Sequence, residues 1–333
     1  MELSNCIATQ DCSNASGNKS EELLHEGGFH AGRDVFQIVI AVLVIAVNSW
    51  VIWLVATKRS LRTVTNYILT SLAVSDLCTG AISIPLLLSC NILIKTGFCV
   101  ADLVVIVFIS VSTVLHILAM TVDRYICIIY ALRYQSWVTK RRGGKLIALI
   151  WLFSMLVALI QLAWTNLNEE ATMEHSAEVK RIIVIYDITL FVAVIGLPVI
   201  FMAFAYARIL YEVHRQTMNI QKHNTPGWQE TRRSTRQEWK VATVFLVMLL
   251  VFVICWVPYY LLQLQQVLKE QFLDISTVAV IILYWLRLLT SLINPCLYIL
   301  GKPDFRKAAG LRKRTRRYNS EGTRTSLLKS SSV

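Results

Sequence analysis

Charge is the scarcest property of this chain: only 16% of its 333 residues are Asp, Glu, Lys or Arg, whereas 55% are hydrophobic. An ordinary soluble domain has about 25% charged residues. The composition therefore excludes an ordinary soluble domain. The few charges are also unequal, with 33 Lys and Arg against 21 Asp and Glu, and the net charge is +12. The question is where this positive charge lies.

Signatures of catalysis are missing as well. The sequence has no His-Glu-x-x-His, no Gly-rich phosphate loop and no carboxylates paired at a spacing useful for acid–base chemistry. We therefore expect a protein that is not an enzyme and that needs no cofactor. Internal repeats and broken hydrophobic segments, which are typical of transporters, are not visible either. A transporter or channel is for this reason the weaker alternative.

Long hydrophobic runs are what the chain has in abundance. About 20 apolar residues cross a bilayer as a helix, and a helix satisfies its own backbone hydrogen bonds in lipid. The runs of sufficient length are 35–56, 66–93, 98–129, 145–164, 182–211, 240–267 and 275–300. The sequence therefore predicts an all-α membrane protein with a seven-helix transmembrane bundle over 35–300, preceded by a tail (1–34) and followed by a segment (301–333).

The basic residues indicate the orientation of this bundle. They cluster at 58–62, 133–142, 215–236 and 312–317, whereas acids cluster at 21–26 and 169–178. Basic loops stay in the cytoplasm, so we expect an extracellular N-terminus. The net positive charge then faces anionic membrane lipid rather than nucleic acid. In the outer tail, Asn14 and Asn18 begin two N-glycosylation sequons.

Polar motifs interrupt the hydrophobic runs or lie at their ends. They are Asn48 in run one, Asp76 in run two, Asp123-Arg124-Tyr125 at the end of run three, Phe252-x-x-x-Trp256-x-Pro258 in run six and Asn294-Pro295-x-x-Tyr298 in run seven. An ionisable residue in lipid marks a functional site, and a proline opens a hinge in a helix. Together, over residues 35–308, these motifs resemble the rhodopsin-like (class A) G-protein-coupled receptors.

The resemblance implies a plasma-membrane receptor with a short amphipathic helix after run seven. It implies that an extracellular ligand activates a heterotrimeric G protein through an outward swing of helix six. The implied coupling and switch residues are Asp123, Arg124, Tyr125, Glu238, Tyr206, Asn294, Pro295 and Tyr298. The implied hinge and toggle residues are Phe252, Trp256, Pro258 and Pro198. A constitutively active or ligandless receptor is the alternative within the family.

Three polar features carry a specific expectation. In such receptors an acid at the foot of helix six bridges to the arginine of the triplet, and here Glu238 precedes Pro258 by 20 residues. The alternative is that Glu238 pairs with Lys240 or Arg236 in solvent. Mid-bundle, the resemblance implies a possible sodium ion at Asp76, Thr113, Ser291 and Asn294, with a water-filled network as the alternative. We expect His116 to be a structural residue rather than a proton sensor.

The resemblance supports neither a conventional amine nor retinal as the ligand. The motifs Arg133-Tyr134 and Asp304-Phe305-Arg306-Lys307 are nearest to amine receptors, yet Ile106 stands where those receptors have an aspartate. Leu288 stands where opsins have the retinal lysine. The family also joins the cysteine that opens helix three to the second outer loop, but residues 165–181 have none. The disulfide candidates, whose pairing stays open, are Cys6, Cys12, Cys90 and Cys99.

Arg287 is the unexpected charge of run seven. It lies two helical turns before Asn294, on the same face. Either Asp102 or Asp187 holds it internally, or it anchors an acidic group of the ligand. The expected pocket residues are Asp102, Ile106, Asp187, Tyr259, Tyr260, Gln263, Tyr284 and Arg287.

The last residues of the sequence suggest regulatory partners. From Ser320 the tail is rich in Ser and Thr, and phosphorylation there would add negative charge beside a basic run. We expect receptor kinases and arrestin to act on it. Ser331-Ser332-Val333 also resembles a PDZ ligand, so a PDZ protein is a possible partner.

Overall fold

The computed structural model of the protein describes residues 28–165, 177–222, 228–268 and 277–310. Seven helices in these ranges are long and apolar enough to span a bilayer, so the predicted bundle is confirmed. They are α1 (Ala31–Thr57), α2 (Val64–Leu93), α3 (Thr96–Ile129), α4 (Lys140–Ala163), α5 (span Glu178–Gln216), α6 (Trp228–Leu268) and α7 (Thr277–Gly301). A short helix, Tyr134–Trp137, follows α3, and α8 (Pro303–Ala308) follows α7.

Several helices extend past their hydrophobic runs. The helix of α5 continues to Lys222, and α6 begins at Trp228, well before the run at 240. Polar residues continue a helix into water at no cost to its backbone hydrogen bonds, so the hydrophobic run marks only the part in lipid. At the other end, α1 begins at Ala31, inside the segment 1–34 that the sequence assigns to the tail.

The third helix is the axis of the bundle. In its most hydrophobic window 72% of residues are buried, against 22–50% in the other spanning helices, and it contacts α2, α4, α5 and α6. Val111, Val114, Ile117 and Met120 are fully buried. At about 100° per residue their positions wind half-way around the helix, so α3 is packed on more than one face. Because lipid is as apolar as these side chains, close packing rather than water exclusion holds the helices together.

The outer helices turn apolar side chains away from the protein. Leu149 on α4 is 62% exposed, and Ile200 and Phe204 on α5 are 67% and 61% exposed. In water such residues would form an aggregation-prone patch. In a bilayer they meet hydrocarbon. The exposed apolar belt therefore agrees with the low charge content of the sequence.

Two helices each contain one wide π-helical segment just before a proline. In α2 this segment is Thr79–Ser83, followed by Pro85, and in α5 it is Leu190–Gly196, followed by Pro198. Proline has no N–H and its ring collides with a carbonyl of the preceding turn, and a π turn relieves that collision. Pro258 and Pro295 lie inside α6 and α7 without such a segment.

A disulfide joins α2 and α3 at the end of the bundle where α1 begins, which we call the outer end because the basic loops predict that it faces outside. Cys99 pairs with Cys90, with Cα atoms 4.8 Å apart. Of the alternatives that the sequence left open, the pairings of Cys99 with Cys6 or Cys12 are thus wrong, because Cys90 is brought beside it by the short turn at Ile94 and Lys95. That turn places Ile94 in the left-handed region, with φ 49°.

Gly80 is predicted to be required for packing of α2 on α1. A Cβ at this position would lie 2.9 Å from the backbone oxygen of Ala41 and 3.0 Å from Cγ1 of Ile45. A backbone oxygen cannot move aside, so Gly80→Ala is expected to cost about 1–3 kcal/mol and to lower the thermal unfolding midpoint in detergent. The matched control is Gly144→Ala, where nothing lies within 4 Å. Equal midpoints for the two variants would contradict the close approach.

Candidate functional site

The inner end of α3 carries an ion-pair cluster that reaches α6. Arg124 is 6% exposed, and its Nη2 donates to Oδ2 of Asp123 at 2.6 Å. Its Nη1 donates to Oε2 of Glu238 at 2.7 Å. The structure thus brings together the two residues that the sequence analysis singled out, and the contact joins α3 to α6. The Glu238 side chain remains 41% exposed, so the cluster lies at the edge of the bundle.

Two further residues complete this cluster, and the sequence analysis assigned neither of them to it. Thr65 on α2 donates its hydroxyl to Asp123 at 2.7 Å and accepts from Arg124 Nη2 at 3.0 Å. Tyr134 donates to the other Asp123 oxygen at 2.8 Å. Burial and the negative charge of Asp123 raise the pKa of Tyr134, so this phenol stays protonated and keeps donating. Tyr125 lies apart from the cluster, its ring 6.3 Å from that of Tyr130.

A second polar cluster lies deep between α1, α2 and α7. Asn294 donates to Oδ2 of Asp76 at 3.3 Å, and Asn48 donates to the backbone oxygen of Ser291 at 3.0 Å. The Ser291 hydroxyl is 2.9 Å from that of Thr79, which the sequence analysis did not name. Thr113 is buried but makes no hydrogen bond to these residues within the described ranges.

The same cluster contains oxygens without a hydrogen-bond donor. Oδ1 of Asp76 and Oδ1 of Asn294 are buried and have no partner among the described residues. Carboxylate and amide oxygens are the ligands that hard cations prefer, and buried polar groups of this kind also bind water. The donor set at Asp76, Asn294 and Ser291 therefore fits either a small cation or an ordered water.

Two tyrosines lie between the polar clusters. Tyr298, just after Pro295, is fully buried, and its ring is 5.5 Å from that of Phe305 on α8. Its hydroxyl has no partner in the described part of the chain. Tyr206 on α5 is buried as well and accepts a hydrogen bond from Thr121 at 3.3 Å. Both phenols lie within the bundle, Tyr206 against α3 and Tyr298 against α8.

Aromatic rings form a continuous column along α6 and onto α7. Phe252 and Trp256 have ring centroids 6.0 Å apart, Trp256 and Tyr259 6.1 Å, and Tyr259 and Tyr284 5.4 Å. Pro258 lies within this stretch. Rings in contact transmit a displacement because their packing is dense. The column therefore connects the outer half of the bundle to its middle, past Pro258.

The outer half contains a cavity of about 60 Å³. Five expected pocket residues line it: Ile106, Asp187, Tyr259, Tyr260 and Gln263. The sequence analysis missed other lining residues, including Gln161, Trp164 and Tyr186. Asp102, Tyr284 and Arg287 do not line it. Asp102 is 5% exposed and accepts a hydrogen bond from Ser83 at 2.8 Å.

Arg287 forms neither of the ion pairs expected from the sequence. Among the described residues, no carboxylate oxygen lies within 4.0 Å of its guanidinium. Its Cζ lies 4.7 Å from the ring centre of Tyr259 and 5.3 Å from that of Tyr284. Aromatic faces thus take the place of an acid. Asp102 is held by Ser83 instead, and Asp187 faces the cavity.

His116 has the environment of a structural histidine. Its Nδ1 lies 2.7 Å from the backbone oxygen of Ser112, so Nδ1 carries the hydrogen and donates it. Nε2 then accepts from the Ser71 hydroxyl at 2.8 Å, and Ser71 in turn accepts from Nε1 of Trp151 at 2.8 Å. Every polar group in this hydrogen-bonded series has a partner while the imidazole is neutral.

A buried lysine lies where α7 meets α8, and no sequence motif singled it out. Lys302 is 3% exposed, donates to Oδ1 of Asn66 and lies 3.6 Å from Asp304. Asn66 also donates to Asp304 at 3.0 Å. Burial lowers the pKa of Lys302 to about 8, and the Asp304 carboxylate opposes that shift only in part. This cluster ties α2 to the inner end of α7.

Several expected residues lie outside the described ranges. They are the sequon residues Asn14 and Asn18, the cysteines Cys6 and Cys12, and the terminal Val333. The expectations for glycosylation and for the tail stay predictions.

Comparisons with known proteins agree with this architecture. The sequence model of the family "7 transmembrane receptor (rhodopsin family)" matches residues 47–298. Adenosine receptor A2b of Gallus gallus is 29% identical over 82% of this chain and 85% of that receptor. Adenosine receptor A2a of Homo sapiens is 29% identical over 81% of this chain and 69% of that receptor. Histamine H2 receptor of Canis lupus familiaris is 28% identical over 90% of this chain and 85% of that receptor.

The buried lysine predicts a pH dependence of stability. Between pH 8 and 10.5 the Lys302 amine is neutral in the folded protein but protonated in the unfolded chain. The unfolded state then binds more protons, so the free energy of unfolding rises with pH in this window. One pKa unit corresponds to about 1.36 kcal/mol, and we expect wild type to gain on the order of 1–3 kcal/mol relative to Lys302→Met. Thermal unfolding from pH 7 to 10 measures this, and parallel curves would contradict it.

Proposed function

Because the chain belongs to the rhodopsin family of seven-transmembrane receptors, which are not enzymes and couple to G proteins, we propose how it signals. It stands in the plasma membrane with its N-terminus outside. An extracellular ligand binds in the outer half of the bundle, α6 swings outward at Pro258, and the opened inner face activates a heterotrimeric G protein. The contact between Arg124 and Glu238 is the observation that carries this proposal.

This ion pair between Arg124 and Glu238 has the properties of a contact that can break and re-form; we call it the tie. Glu238 is partly exposed, so water replaces its hydrogen bond when α6 moves. Arg124 does not lose all compensation, because Asp123 and Thr65 still accept from Nη2. Breaking the contact therefore leaves no stranded buried charge, which would be the costly outcome. An element with two accessible arrangements is what a ligand needs in order to shift a population.

The free energy that this ion pair contributes is suitable for a two-state switch. A hydrogen bond to a charged group contributes about 1.5–3 kcal/mol, and partial exposure lowers this toward the value of surface pairs, at most about 1 kcal/mol. A difference of 1.4 kcal/mol changes an equilibrium tenfold. The pair thus keeps basal activity low without preventing activation. Its presence also argues against the alternative of a constitutively active receptor.

The middle cluster supports a modulator in this proposal. Asp76 and Asn294 carry buried oxygens without a donor, and these residues with Ser291 would hold a sodium ion. The cation would supply positive charge beside the Asp76 carboxylate. The cluster packs α2 against α7, so its occupancy would favour one arrangement of these helices.

Regulation after activation would fall to the C-terminal tail. We propose that receptor kinases phosphorylate its Ser and Thr residues and that arrestin then binds the added negative charge. The support is the composition of 320–333 and its position after a basic run.

The Arg124–Glu238 contact predicts a change in basal signalling. Glu238→Ala removes the tie and is expected to raise basal G-protein activation several-fold, to tenfold at most, whereas Arg124→Ala is expected to abolish coupling. Nucleotide exchange on a panel of G proteins, at equal surface expression and without ligand, measures both.

The control for this experiment is Glu212→Ala. Glu212 pairs with Arg215 at 3.3 Å within α5, so its loss removes an ion pair near the inner face without releasing α6. Unchanged basal exchange in Glu238→Ala, or an equal rise in Glu212→Ala, would contradict the tie.

A further inference from the structure

We infer that the outer site takes a small ligand with an anionic group, a carboxylate or a phosphate, and that Arg287 binds this group. The inference rests on the proposed function, since it names the chemical class of the activating ligand. The guanidinium of Arg287 lacks some of its hydrogen bonds within the described part of the bundle. Arg287 is 2% exposed, and both Nη1 and Nη2 are buried without a hydrogen-bond partner among the described residues.

Such an arrangement is unusual for a guanidinium. Arg carries five N–H donors and no acceptor, and a buried charge is normally paired and hydrogen-bonded. Asp102, the acid whose charge acts on Arg287, accepts a hydrogen bond from Ser83. Its carboxylate oxygens lie more than 4.0 Å from the guanidinium nitrogens. The negative charge of Asp102 lowers the free-energy cost of burying Arg287. The N–H groups of Nη1 and Nη2 still lack a hydrogen-bond acceptor among the described residues.

The aromatic neighbours explain how the site tolerates the charge. Tyr259 and Tyr284 face the guanidinium at 4.7 and 5.3 Å, and a cation is attracted to an aromatic face. This attraction does not satisfy the N–H groups that lie in the plane of the guanidinium. Those groups form the fork that matches two oxygens of a carboxylate or phosphate. Arg287 is thus prepared for an anion that the protein itself does not supply.

Tyr259 connects this arginine to the cavity. The same side chain lines the cavity and covers Arg287, so a ligand that contacts Tyr259 is one ring away from the guanidinium. The carboxylate of Asp187 lies elsewhere on the cavity wall and repels an anion from α5. The acidic group is therefore directed toward α7, and the remaining ligand surface meets the apolar wall around Ile106 and Leu190.

The location also explains how binding would be sensed. An anion drawn to Arg287 displaces Tyr259, whose ring is 6.1 Å from that of Trp256. Trp256 in turn stacks on Phe252, with ring centroids 6.0 Å apart, and lies two residues before Pro258 in α6. A neutral ligand of the same shape would fill the cavity without pulling on this column.

Thermal unfolding of the purified full-length protein tests the inference. The probes are benzoate, phenyl phosphate and the neutral benzamide, at equal ionic strength. We expect benzoate or phenyl phosphate, at about ten times its dissociation constant, to raise the unfolding midpoint by on the order of 2–4 °C more than benzamide. The difference between the two anions assigns the carboxylate or the phosphate. Equal shifts with all three probes would overturn the inference.

Variants locate the effect. Arg287→Gln is expected to lose the anion-specific shift, and Arg287→Lys to keep a smaller one because it retains the charge without the fork. The matched control is Arg33→Gln, an arginine at the outer end of α1 that pairs with Asp34, and its shift should equal that of wild type. If Arg287→Gln does not fold, the same shift is measured on the double variant Arg287→Gln with Asp102→Asn, in which the uncompensated carboxylate is also removed. A full anion shift without Arg287 would overturn the assignment.

A failure of the ligand-class inference can be distinguished from a failure of the proposed function. The thermal-unfolding measurement uses no G protein, whereas basal nucleotide exchange with Glu238→Ala uses no ligand. Loss of the anion effect with intact exchange would reject the ligand class alone, and the reverse result would reject the coupling mechanism alone.

Discussion

The structure depends on one constraint: inside the bilayer, polar groups have no water and must find partners within the bundle. This explains why several buried polar residues form clusters that join helices. Asp123, Arg124 and Thr65 complete one another at the inner end. His116 is similarly complete with Ser71 and Ser112. Two clusters, at Asp76 and Arg287, are incomplete among the described residues, and these are where we propose a bound cation and a ligand anion.

A series of contacts along α6 joins Arg287 to the ion pair at the inner end of the bundle. Arg287 contacts Tyr259, the aromatic column continues to Phe252, and the Arg124–Glu238 pair closes the inner end of α6. The middle of the bundle along these contacts is rigidly packed, because buried side chains fill it. Small movements at the outer end are therefore passed on rather than absorbed. The proposed movement of α6 would break the contact to Glu238, which is partly exposed and can therefore be hydrated.

Much of this arrangement was predictable from the sequence. Hydrophobic run length alone locates all seven spanning helices, since lipid permits few other structures. The contact between Arg124 and Glu238 was expected only from the resemblance to rhodopsin-like receptors, in which an acid at the foot of helix six bridges to the arginine of the triplet. Thr65, Tyr134 and Lys302 could not be identified in the same way. A threonine or lysine at a helix end is common, and only contact between α2, α3 and α8 gives these residues a role.

By itself, the sequence determined the number of spans, their order and the depth of each motif, because these follow from hydrophobicity and helical rise. Tertiary structure alone decided which groups meet. It paired Cys99 with Cys90, since a tight turn brings them together. It also separated Arg287 from both acids that the sequence offered as partners and placed it between tyrosine rings. Helix rotation and tilt set these contacts, and they depend on packing against neighbours that no single run of residues contains.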